Sequence, residues 1–65
     1  MRTVANEELR DIIRVLCMIG VDYYEIVNTL TDTVVAISRE REQANKICAE
    51  YNKDSVNYEV NFINN

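Results

Sequence analysis

Eleven carboxylates, seven basic side chains, two cysteines and no histidine make up the reactive inventory of this 65-residue chain. Without histidine there is no side chain whose ordinary pKa suits proton transfer near neutral pH. A cysteine nucleophile needs an activating base, and Cys17 and Cys48 have no histidine to supply one. Both sit among apolar residues, where the thiolate is disfavoured, so two reduced, buried thiols are expected. Their spacing matches no metal motif, and no cofactor is expected. Glu7 with Asp11, and Glu40 with Glu42, have the spacing of solvated helix surface. A single glycine, Gly20, cannot build a phosphate-cradling loop. The chain is therefore expected not to be an enzyme.

Binding chemistry has two further sources. Arg39 and Arg41 could clamp a small anion or a cyclic nucleotide. Tyr23, Tyr24 and Tyr58 could stack bases on a sheet, although Tyr24 and Tyr58 read better as core. A formal charge of −4, with Glu40, Glu42 and Glu50 interleaved among Arg39, Arg41, Lys46 and Lys53, makes nucleic acid an unexpected partner.

These groups must be positioned by a few short elements in one domain, residues 1–65. Residues 1–5 read as a frayed start. Asn6 is a good N-cap, and Glu7 and Glu8 lie where the helix dipole favours negative charge. Leu9, Ile12, Ile13 and Leu16 share one helical face, so residues 6–19 are expected to be a helix. Gly20 fits the left-handed stop, with Leu16 and Val21 as the pair that meet across it.

Residues 22–63 read as a ββαβ unit. Residues 23–29 and 33–38 are rich in β-branched and aromatic side chains. The turn lacks the usual Asn-Gly or Asp-Gly pair, but Asp32 tolerates a left-handed conformation, which suits a loop of three or four residues. A two-residue turn would instead pair Leu30 with Thr33, Asn28 with Val35 and Ile26 with Ile37. Tyr24, Ile26, Leu30, Val35 and Ile37 would then share a face, leaving Tyr23, Glu25, Val27, Thr29, Val34 and Ala36 on a mixed one. Ser38 would cap a helix over residues 39–53, whose Ala44, Ile47, Cys48 and Tyr51 form an apolar stripe. Residues 56–63 alternate strictly, with Val56, Tyr58, Val60 and Phe62 facing inward. A competing reading extends the first helix past Gly20 or makes residues 22–30 a second helix capped by Asp22, because Tyr23, Ile26, Val27 and Leu30 also have helical spacing.

The expected fold class is α+β: N-terminal helix, β-hairpin, second helix and third strand. The simplest sheet is three-stranded and antiparallel with order 2-1-3, the hairpin's second strand lying parallel to the last. The first helix either lies beside the second or covers the opposite face. A chain this short has a marginal core, and self-association is a common way to enlarge it. The second half of the first helix is apolar on all sides, and the hairpin carries a mixed face. Val15, Met18, Ile19, Tyr23, Val27 and Val34 are therefore candidate interface residues, in a dimer or with another protein. No apolar stretch is long enough to span a bilayer and no signal peptide is visible, so a cytoplasmic location is expected.

YYEIVNTLTDTVVAIS, followed by REREQANKICAEYNK and SVNYEVNFIN, resembles the pattern of small phage- or plasmid-encoded accessory proteins of unknown function. The resemblance covers about two-thirds of the chain and leaves out the N-terminal helix. It implies a non-enzymatic protein that docks on a larger host protein or defence complex as an inhibitor or adaptor. Two alternatives remain open beside it: a sequestering protein for a small anionic ligand, nucleotide or nucleic acid, and an antitoxin-like or regulatory partner.

Overall fold

The computed structural model describes residues 3–54 and 57–65. Its elements run β1 (Thr3–Val4), α1 (Glu7–Ile19), β2 (Tyr23–Asn28), β3 (Thr33–Ser38), α2 (Arg41–Tyr51) and β4 (Tyr58–Ile63). The α+β class holds, and residues 23–28 are strand rather than helix. The expected three-stranded antiparallel sheet does not hold. The sheet is mixed and four-stranded, in the order β1-β3-β2-β4. The added strand comes from the segment expected to fray: Thr3 and Val4 pair in parallel with Thr33 and Val34. Two residues are too few to show an alternation, so this strand exists only because β3 offers it an edge. Met1 and Arg2 lie outside the described residues, as do Ser55 and Val56 at the expected start of the last strand.

Local signals explain the first helix. The Asn6 side chain accepts from the Leu9 N–H at 2.8 Å, capping the start of α1. At its end Gly20 takes φ 73°, its N–H bonds the Cys17 carbonyl, and the Val21 N–H bonds that of Leu16 at 3.0 Å. These two bonds are the Schellman stop expected from the only glycine.

The hairpin turned out differently from the two-residue turn. Its loop spans the four residues Thr29 to Asp32, so Asn28 faces Thr33. Asn28 Oδ1 accepts from the N–H groups of Leu30 and Thr31 at 2.9 and 3.4 Å, and Asp32 closes the loop at φ 54°. A bulge then follows: Ile26 faces Ala36 while Val27 faces Val34. The extra residue in β3 moves Ile37 to the face of Glu25 and Val27, away from Ile26. The expected grouping of Ile37 with Tyr24 and Ile26 is thereby overturned.

Each helix covers one face. Leu9 of α1 is buried with Val27 and Val34, and Val4, Ile13 and Ile37 pack around them. On the other face α2 lies across β2, β3 and β4. It brings the fully buried Ala44 to the sheet, and its Tyr51 ring lies 4.9 Å from that of Tyr58. Ile26 is fully buried. The helix is shorter than residues 39–53, and Glu40 rather than Ser38 is its N-cap. Ser38 Oγ is already engaged with Glu40, accepting its N–H at 3.1 Å and donating to its carbonyl at 3.0 Å. Phe62 stacks near Tyr24 at 5.1 Å but keeps 54% of its surface exposed, so it is not the core residue that alternation suggests.

Candidate interaction surface

Buried carboxylates are where chemistry is usually sought, and Glu25 is fully buried. Its Oε2 accepts the Tyr23 hydroxyl at 3.0 Å. Tyr23 and Glu25 are two apart on one strand and so share a face. That face is the interior under α1. A satisfied carboxylate here holds the fold in register. Among the described residues, no buried side-chain nitrogen or oxygen lacks a hydrogen-bond partner. Sequence reasoning put Glu25 on the mixed face but gave it no part, because a strand glutamate usually points to water.

The six candidate interface residues separate into two groups. Tyr23, Val27 and Val34 are interior, each no more than 3% exposed, and present no surface. Val15, Met18 and Ile19 are 54%, 79% and 65% exposed, and Ile12 joins them at 44%. All four lie on α1 at positions i, i+3, i+6 and i+7, one continuous stripe beside the buried Leu9. Its N-terminal end is acidic: Glu8 lies one turn before Ile12, and Asp11 one turn before Val15. No basic residue occupies the last turn. Cys17, expected to be buried, is also exposed, whereas Cys48 is half-buried with its thiol directed at the Tyr58 carbonyl; both are free.

Arg39 and Arg41 are exposed at the entrance to α2. The open groove along α2 contains neither of them. It is lined by Glu40, Glu42, Gln43, Lys46, Ile47, Ala49 and Glu50, three carboxylates to one lysine, which repels an anion. A smaller depression adds Asp54 beside Glu50, Tyr51 and Tyr58. The described residues contain no cluster of three or more potential metal ligands, and no described helix is long and apolar enough to cross a membrane.

No protein-family model matches this chain, and no curated protein or solved structure matches it at a significant level. The stripe on α1 must therefore be judged by its own chemistry.

Proposed function

We propose that this protein is a non-enzymatic binding module that seats the outer stripe of α1 in an apolar groove of a larger protein. The observation that carries the proposal is the exposure of Ile12, Val15, Met18 and Ile19 together on one side of a capped helix. An amphipathic helix lying in a groove is read through anchors at this spacing. Contiguous apolar surface of a few hundred Å² on a small protein marks an interaction site. Glu8 and Asp11, at one end of the stripe, call for a lysine or arginine on the groove's rim. The resemblance to phage- and plasmid-encoded accessory proteins leaves out α1; it supports only the non-enzymatic docking role, with the module acting as inhibitor or adaptor.

The test uses the tagged full-length chain as bait in bacterial lysate with and without nuclease, beside a Val15→Lys/Met18→Lys variant. Lysine is a good helix former, and Lys at 15 lies one turn after Asp11, so the helix itself is preserved. We expect one protein captured at near-equal stoichiometry by the natural chain, retained by Lys46→Glu on α2, and reduced at least tenfold by the double variant. Equal capture by the double variant, or a catch that disappears with nuclease, would overturn the proposal.

A further inference from the structure

The outer edge of β4 points to a second, separate surface. In an antiparallel pair, successive residues direct their N–H and C=O groups alternately toward and away from the neighbouring strand. The Asn57 carbonyl accepts from Thr29 N–H at 2.7 Å and so faces β2. Tyr58 therefore faces outward, and its backbone groups are taken by a side chain. Its N–H donates to Asn52 Oδ1 at 3.1 Å, and its carbonyl accepts from Asn52 Nδ2 at 3.2 Å. The Asn52 amide stands in for one residue of a neighbouring strand. By the same alternation Val60 and Phe62 face outward, while Glu59, Asn61 and Ile63 face their partners Val27, Glu25 and Tyr23. The tail does not run along this edge, since Asn65 turns back to Asp22 and Val21 through bonds of 2.8 and 2.7 Å.

Among the described residues the edge is thus closed at Tyr58 and open at Val60 and Phe62. It carries none of the usual guards: Tyr58–Ile63 has no proline, lysine or arginine, and its only charge is Glu59. The exposed ring of Phe62 lies on it.

We propose that two copies of this chain pair antiparallel through β4, with Asn61 facing its own counterpart across the two-fold axis. In this register Val60 exchanges both backbone hydrogen bonds with the partner's Phe62, and Phe62 does so with the partner's Val60. Every outward group of those two residues is used, and the Asn52 bonds to Tyr58 are left intact. Phe62 is covered by the partner's Val60. Glu59 faces the partner's Ile63, so no like charges oppose each other. Sliding the register to centre on Val60 would require the Tyr58 groups that Asn52 holds. Centring it on Glu59 would set two carboxylates face to face. The interface is isologous, as a closed dimer requires. It joins two four-stranded sheets into one of eight strands and places both α1 stripes on the same side, so the dimer would present two docking helices.

The register is tested by cysteine pairing in a Cys17→Ser background, which removes the exposed thiol. Residues opposed in a non-hydrogen-bonded pair have Cα atoms about 4.5 Å apart, within disulfide reach. Under mild oxidation Asn61→Cys is expected to give a linked species of twice 7.6 kDa, at least tenfold faster than Glu59→Cys on the same face. Comparable rates for the two, or no linkage of Asn61→Cys, would overturn the register. Sedimentation of the natural chain is expected to show a dimer at tens of micromolar. Val60→Pro removes only an outward N–H and is expected to sediment as a folded monomer. A natural chain that stays monomeric overturns the proposal. So does a dimer that survives Val60→Pro but dissociates with Met18→Lys, which would move self-association to α1. If Val60→Pro does not fold, the cysteine comparison alone decides.

Discussion

The two helices are opposites in what they leave outside. On α2 the outer side is polar: Glu42, Asn45, Lys46 and Glu50 face solvent, and Glu50 pairs with Lys53 at 3.0 Å. That pair is exposed at both ends and contributes little to stability. On α1 the outer side carries Ile12, Val15, Met18 and Ile19. Both helices perform the same structural task, each covering one face of one sheet with a single buried residue, Leu9 or Ala44. Among the described residues α1 leaves four large apolar side chains outside, whereas α2 leaves only Tyr51, at its end against Tyr58. The difference separates residues that hold the fold from exposed residues on which the proposed docking rests.

Substitutions in the two groups should therefore behave differently. The largest loss is expected at the sheet beneath the helices. Ile26→Ala, at a fully buried position, should cost about 2–5 kcal/mol in urea denaturation. A loss below 1 kcal/mol would mean that this face is not packed as described. Tyr23→Phe removes the hydroxyl that donates to buried Glu25 and should cost about 1–3 kcal/mol. Because the ring is kept, that loss is a measure of the polar contact, and an unchanged midpoint would deny it a structural role. Gly20→Ala meets no neighbour within 4 Å. Its φ of 73° remains, so the cost should be about 1 kcal/mol from the backbone alone. A neutral result would show that the stop relaxes without its left-handed residue.

How far these features were legible from the residues depended on how many neighbours each needed. The ends of α1 needed only local bonds, and Asn6 and Gly20 announced both. The excess of apolar residues after Arg14 was equally plain, because a helix on one sheet needs only one apolar side. The face of Ile37 was not legible. Val34-Val35-Ala36-Ile37 is apolar throughout, so either alternation fits, and the bulge that chooses between them answers to β2 across the hairpin. β1 was illegible for a related reason, since a two-residue strand is defined by its partner. Tyr23, Val27 and Val34 looked like a spare face only because nothing in their own spacing placed α1 over them. The closure of the β4 edge by Asn52 joins residues six apart, and no pattern of hydrophobicity contains it.

The contrast between the helices is tested most directly by the thermal unfolding midpoint of the Val15→Lys/Met18→Lys variant. Both positions are more than half exposed, lysine is a good helix former, and a basic residue in the last turn suits the helix dipole. The midpoint should stay within about 2 °C of the natural chain, where 1 kcal/mol corresponds to about 4–8 °C in a domain of this size. An unchanged midpoint would leave the stripe free to serve a partner. A fall of about 5 °C or more would show that these side chains help to hold the fold, and would contradict the separation on which the proposed function rests.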